Sequence, residues 1–446
     1  MKITKDLTRG TIRNQLIALA LPLILGNIFQ QFYNTIDSFI IGRYIGHTAF
    51  AAVGVAGNIM NLFIFVINGA CNGISILFAE LYGERKWNTL RKESFLSFSF
   101  GCFIAVGVGI MGRLTLSPLL SLIQTPIEVR IFVQDYLQMI YLGLLAIFLY
   151  NWCSSVLQAI GDTKTPLWIL MIAMVLNFSL DYLFVVFGNT GISGTAAATV
   201  ISQLFAAIVC FVYMKLRHPY LLFGRKDMLF DRRLLAKTVN FGVVSALHQS
   251  SLYIGKLLVQ GAVNTAGTEM ISAYTVTMRM EGFANSFGDS GSTAISVFVA
   301  QNRGAGKNER VRQGFGKGVK MMILLSVCLS IIMVLTTPGA TALLMGKVSE
   351  GLAKNVEMYM KVIAVFYVLC FIGNSFVGLY RGLGMVYIPV MGTILHISIR
   401  VILSYLLISY MELTGVAMAT GIGWVVVVVF QSILYKRSRM LETNTF

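Results

Sequence analysis

Residues 158–199 read QAIGDTKTPLWILMIAMVLNFSLDYLFVVFGNTGISGTAAAT, and the middle of that stretch decides the fold. From Leu167 to Phe187 the chain is almost unbrokenly apolar for about 21 residues, enough to cross the hydrocarbon of a bilayer as a helix. Asn177 and Asp181 interrupt it, four residues apart and therefore on one helical face. A carboxylate at that depth is costly unless it is paired, hydrated or protonated, so Asp181 is expected to be functional. A turn with Gly161 and Pro166 precedes the run, and a loop with Gly188, Gly191 and Gly194 follows it. The next apolar run brings the hydroxyl of Thr199 to a similar depth. Amide, carboxylate and hydroxyl could together hold a small cation or a proton.

The same pattern of long apolar runs extends through all 446 residues, which are 56% hydrophobic and 12% charged with a mean hydropathy of +0.76. This composition implies an all-α polytopic membrane protein rather than a soluble domain. Twelve spans are expected, at about 15–40, 50–80, 93–115, 131–157, 166–187, 193–214, 238–260, 270–299, 315–338, 357–380, 388–410 and 414–435. The net charge of +16 would suggest nucleic acid in a soluble chain, but 26 of the 35 Lys and Arg residues fall in the termini and alternate loops of this scheme. That bias sets orientation: both termini are expected in the cytoplasm, in a cell inner membrane, with no nucleic-acid partner. The first apolar run is too long for the core of a cleaved signal peptide. The six cysteines stand singly in apolar runs with no CxxC, so neither a disulfide framework nor a zinc site is indicated.

Two halves are related. Ala79–Gly83 with Lys86 and Arg91 aligns with Ala300–Gly304 with Lys307 and Arg312 at an offset of 221; Gly161 and Pro166 align with Gly384 and Pro389 at 223; Gly194–Thr199 aligns with Gly415–Thr420 at 221. Six spans per half, starting on the same side, give two six-helix lobes related by pseudo-two-fold symmetry along the membrane normal, with substrate bound between them. The lobes are drawn as 1–214 and 238–446, the latter with its tail, joined by a basic linker at 215–237.

Polar stripes mark the helices that open each half. The first span carries Gln30, Asn34, Asp37 and Ser38, and the second Asn61, Asn68, Asn72 and Ser75. The seventh carries Ser245, Gln249, Lys256 and Gln260, and the eighth Glu281, Asn285, Asp289, Ser292 and Ser296. Interhelical hydrogen bonding explains most Ser, Thr and Asn residues in spans. Asp37 and Asp181 are read as functional. Gln30, Asn34, Asn61, Asn68, Gln249, Glu281, Asp289 and Arg400 are candidates to line a cavity, though Glu281, Lys256, Arg279 and Arg400 could equally be structural ion pairs. Pro22 removes a helical hydrogen bond and is a candidate hinge, or simply static structure. Gly107-Val-Gly109-Ile-Met-Gly112 matches GxGxxG but has no strand before it, and no GxxxxGK[ST] is present. Dinucleotide binding is therefore discounted, no cofactor is expected, and energy has to come from a gradient or another subunit.

Taken in order, Leu21-Pro-Leu-Ile-Leu-Gly26 with Asp37, Gln158-Ala-Ile-Gly-Asp-Thr-Lys-Thr-Pro166, Met278-Arg-Met-Glu281, Gln301-Asn-Arg-Gly-Ala-Gly-Lys307, Arg381-Gly-Leu-Gly384 with Pro389, and Arg400 resemble the multidrug and toxic compound extrusion (MATE) family of cation-coupled antiporters nearly end to end. The resemblance implies alternating access and export of amphipathic, often cationic organic compounds against H⁺ or Na⁺, by a secondary transporter and not an enzyme, expected as a monomer. Members with a cation site in the first lobe use an Asp in span one, an Asn and Asp four apart in span five, and a Thr in span six. Asp37, Asn177, Asp181 and Thr199 match these, as a proton site or a possible Na⁺ site. The family's other branch places essential acids in spans seven and ten; here those spans offer Gln249, Lys256 and Asn374 instead. Two rivals share the membrane setting: a lipid-linked precursor flippase of the same superfamily, which would want a cation-lined cavity, and a membrane-embedded enzyme of the prenyltransferase type, which would want acidic loops.

Overall fold

The computed structural model describes residues 6–122, 125–345 and 349–443; the side chains of 32–39, 42, 47, 50, 51, 122, 345 and 438–443 lie outside the description. The described residues form helices and no strands: α1 (Ile12–Tyr44), α2 (His47–Gly83), α3 (Trp87–Leu122), α4 (Ile127–Ala159), α5 (Lys164–Tyr182), α6 (Gly191–Arg217), α7 (Arg232–Asn264), α8 (Thr268–Gly304), α9 (Asn308–Met345), α10 (Glu350–Gly382) and α11 (Tyr387–Thr443). α11 is two spans in one, because Glu412 takes a non-helical φ of 52° and ψ of −139° at the gap expected between spans eleven and twelve. Twelve spans result. Nine described helices are long and apolar enough to cross a membrane by composition alone. α7 and α8 are not among them, since Lys256, Glu281 and Asp289 dilute their apolar content even though they run 33 and 37 residues.

Left-handed backbone positions repeat with the sequence. Gly46 and Gly267 (φ 119° and 96°), Arg85 and Gly306 (58° and 69°), and Gly191 and Glu412 (63° and 52°) are each 221 residues apart, and Gly161 and Gly384 (86° and 75°) are 223 apart. Glu412 also lies 223 residues after Asn189 (48°), and Gly10 has no such counterpart. Chain reversal thus happens at the same points of both halves, with Arg85 and Glu412 standing where the other copy uses the residue that adopts this conformation without a Cβ penalty.

By contact, the chain separates into two compact units: Met1–Arg9 with Leu21–Ala246, and Gly10–Ala20 with Leu247–Phe446. Each unit therefore takes in the opening turns of a helix whose remainder belongs to the other. In the first unit the start of α7 is held on α2 and α3. Thr238 Oγ1 donates to Glu93 Oε2 at 2.7 Å, both residues fully buried, and Lys237 Nζ lies 3.4 Å from Glu80 Oε2. α2 and α7 meet backbone to backbone: a Cβ added at Gly73 would stand 2.1 Å from the Phe241 carbonyl oxygen, and one at Gly69 2.5 Å from Ala246 Cα. The core beneath is built on Trp152, whose indole N–H donates to Ser97 Oγ at 3.1 Å and whose ring meets Phe78 and Phe98 edge-on.

In the second unit, Arg310 Nη2 donates to Gln15 Oε1 at 2.7 Å, fixing the opening of α1 to α9. α8 and α10 approach through Gly378 and Gly382, where added Cβ atoms would reach the carbonyl oxygens of Ser292 and Ser296 at 2.5 and 2.7 Å. α6 and α7 extend into the basic connecting segment and leave residues 218–231 between them. That segment is anchored rather than loose: Leu221 is fully buried and the Phe223 ring packs on Phe95 and Phe98 of α3.

Candidate functional site

α5 is turned inside out relative to an ordinary amphipathic helix. Its buried stripe is Pro166, Ile169, Ala173, Asn177 and Asp181, while Trp168, Ile172, Val175, Phe178 and Tyr182 are exposed. Asn177 is 1% and Asp181 0% exposed, so the two polar side chains face protein and the apolar ones face outward, as a lipid-bathed helix requires. The preceding turn is fixed by Asp162, itself buried, which accepts hydrogen bonds from the Thr165 N–H, the Thr165 hydroxyl and the Tyr213 hydroxyl at 3.1, 2.8 and 3.2 Å. Directly after Asp181 the helix widens into a π-turn, Leu183–Phe187. Such turns are concentrated at functional sites, because the extra residue per turn re-aims the side chains before it. Gly194 lets the π-turn close onto α6: its added Cβ would meet Thr190 Oγ1 at 2.0 Å and Phe184 Cβ at 3.1 Å.

α6 packs on α4 and α5 and buries a run of small residues, Gly194, Thr195, Ala198, Thr199 and Ser202. Thr199 is 8% exposed. α1 meets α5 at two points. Gly26 approaches Leu167 and the Tyr44 ring meets the Tyr182 ring edge-on at 6.1 Å. The stretch of α1 between those contacts carries Asn34 and Asp37 in sequence; both side chains lie outside the described residues. Asn177, Asp181 and Thr199 offer amide, carboxylate and hydroxyl oxygens, a hard donor set suited to Na⁺ or a proton.

The remaining cavity candidates divide. Gln30 is exposed; Asn61, Asn68 and Gln249 are half-buried. Glu281 is 3% exposed and accepts a short hydrogen bond from the Tyr359 hydroxyl. Arg400 is buried and donates through Nη2 to the Tyr274 hydroxyl at 3.3 Å. Asp289 is exposed on α8, close enough to Lys256 and Arg381 to interact with their charges. Arg279, one of the three cations assigned to span interiors, is exposed. The reading from sequence missed Tyr274, Tyr359 and the contact of Arg381 with His248 Nδ1 at 2.8 Å. Arg381 had counted as a loop cation beside Gly384, yet it is only 7% exposed. Pro22 is buried in an unbroken α1, one residue after the point where that helix passes from the second unit to the first.

Comparison with known proteins gives the two halves the same assignment. The MatE family model matches residues 22–183 and again 245–406, the second match 223 residues after the first. A probable multidrug resistance protein, YpnP, of Bacillus subtilis is 28% identical over 94% of this chain and 94% of its own length. A probable multidrug resistance protein NorM of Thermotoga maritima is 25% identical over 95% of this chain and 91% of that protein. In fold, the chain is similar to a multidrug resistance MATE family transporter of the MOP superfamily solved in an outward-facing conformation, with a TM-score of 0.88, 21% identity and 98% of each chain covered. These likenesses favour neither the flippase nor the enzyme. Two matched copies of one family model, in a chain with nine described helices long and apolar enough to cross a membrane and with the polar stripe of α5 buried, mean that the chain belongs to the MATE family of integral, multi-pass membrane transporters.

Proposed function

We propose that this transporter exports amphipathic, often cationic organic compounds in exchange for H⁺ or Na⁺, with Asp37, Asn177, Asp181 and Thr199 as the coupling site. The observation that carries the reading is the inverted α5, in which an amide and a carboxylate four residues apart are buried at 1% and 0% exposure in a membrane-spanning helix. Buried carboxylates in low dielectric do not stay bare; they take a proton or a cation. Occupancy of this site from outside would favour the drug-releasing state, and its emptying toward the cytoplasm would reset the cycle. Pro22 and the lobe boundaries at 214 and 238 suit a rocking motion with local bending of α1. Dye efflux from proteoliposomes with a pH gradient and a Na⁺ gradient imposed separately tests the proposal; no response to either gradient would overturn it.

The direction of export depends on orientation, and we propose both termini in the cytoplasm. Arg85 and Lys86, the 218–231 segment and Lys307 fall between helices whose ends share one side of an alternating path, while Glu350 opens α10 on the opposite side. Single cysteines at Lys226 and Lys307, on a background with Cys328 replaced, should react with an impermeant thiol reagent only from the cytoplasmic side, and one at Glu350 only from outside. The reverse pattern would invert the assignment.

A further inference from the structure

The repeat carries the N-terminal polar cluster onto a C-terminal one of opposite charge. At the 223-residue register, Asn177 corresponds to Arg400 and Asp181 to Ser404; at the 221-residue register of the following helix, Thr199 corresponds to Thr420. Neither acid of the first half recurs, since Asp37 falls on Leu258 or Gln260. What stands there instead is a set of donors. Arg400 spends Nη2 on the Tyr274 hydroxyl, but its Nε is buried with no hydrogen-bond partner. Ser404, one turn along the same face of α11, is 0% exposed and its hydroxyl also has no partner. The Tyr367 hydroxyl, on α10 within reach of the Glu281 carboxylate and, more weakly, of the Arg400 guanidinium, is likewise buried and has no hydrogen-bond partner. His396, one turn before Arg400, stacks on Trp424, and the Tyr367 ring meets the other side of the cluster through the same Trp424.

Arg Nε can only donate, and the two hydroxyls are free to rotate and donate. The carboxylate in reach, Glu281, is engaged by Tyr359, and among the described residues no ion pair joins it to Arg400. Buried donors without an acceptor are costly, and Arg400 Nε and the two hydroxyls are left without one, as is His396 Nε2 beside them. A planar guanidinium edge with flanking hydroxyls suits a carboxylate or a comparable small oxyanion.

We infer that the C-terminal unit holds an anion-accepting subsite, formed by Arg400, Ser404 and Tyr367, which takes the acidic group of zwitterionic amphiphiles among the transported compounds. It rests on the transporter reading above for the kind of ligand. Binding in detergent needs no gradient, so a failure of coupling and a failure of this subsite are read separately.

The test is fluorescence polarisation with the purified full chain and two dyes of one xanthylium skeleton, rhodamine 110 with a free carboxylate and rhodamine 123, its methyl ester. Wild type should bind the acid more tightly than the ester. Arg400→Gln should weaken the acid by about tenfold or more and the ester by less than about twofold. Tyr367→Phe and Ser404→Ala, which remove one donor each and no charge, should weaken the acid alone by a few-fold. Sodium formate competing with the acid dye assigns the site to small free anions as well; absence of competition confines it to the acid group of an amphiphile. Equal binding of acid and ester to wild type, or equal losses for both dyes in Arg400→Gln with the two donor variants unchanged, would overturn the inference and make Arg400 a structural residue.

Discussion

Asp181→Asn should reduce gradient-driven dye efflux in proteoliposomes to the level of protein-free vesicles, while the purified variant elutes as one folded species. The substitution removes a titrating charge at nearly constant volume, and a buried neutral amide is cheaper to accommodate than a buried carboxylate. Since Asp181 is 0% exposed on the same buried face of α5 as Asn177, no bulk water is at hand to take over its role. Asp37→Asn should give the same result. Glu281→Gln and Asp289→Asn, placed among cations in the second unit, should change apparent substrate affinity more than coupling. Normal pumping by both N-terminal variants, with Asp289→Asn inactive, would move the coupling site to the second unit.

Gly73→Val should lower thermal stability and expression far more than any exposed substitution. With a Cβ at Gly73 standing 2.1 Å from the Phe241 carbonyl oxygen, the obstacle is backbone and no rotamer can relieve it. α7 would have to lift from α2, stretching the buried Thr238–Glu93 hydrogen bond and the more exposed Lys237–Glu80 ion pair with it. Overpacking of this kind costs about 1–3 kcal/mol before the loss of a buried hydrogen bond adds roughly another 1–3. Gly107→Ala is the matched control: nothing lies within 4 Å of its added Cβ, so it should leave stability unchanged or raise it by about 0.5–1 kcal/mol. Similar melting curves for the two variants would show that the α2–α7 contact is not as close as described.

Much of the fold was legible in the sequence because bilayer thickness imposes a length that apolar runs must meet, and the spans of α1 to α6 could be placed on that basis. The family and its transport class followed from ordered motifs. The candidate site was legible where polarity contradicts its surroundings, as Asn177 and Asp181 do on α5. Less legible was anything set by tertiary contact. Arg381 sits beside a glycine turn like a loop cation, and only the packing of α7 buries it against His248. The Tyr359–Glu281 hydrogen bond joins residues 78 apart, with no local pattern to announce it. The π-turn after Asp181 is made of ordinary apolar residues, and the break at Glu412 lacks the glycine that marks its counterpart Gly191.

The exchange of helix openings between the two units has a consequence for biosynthesis. A chain that has left the ribosome as far as Arg217 has all of α2 to α6 but not the Arg232–Ala246 strap that completes the first unit. Residues 10–20, made almost first, have no home until the helices of the second unit follow. Domains usually fold in turn as they are synthesised. Here neither half can be finished alone: the earliest segment waits for the latest helices, and the first half is closed by the second half's opening turns. The 218–231 segment, packed on α3 through Phe223, then leads α7 back to α3, so the first unit is completed only when about fifteen residues of α7 have followed.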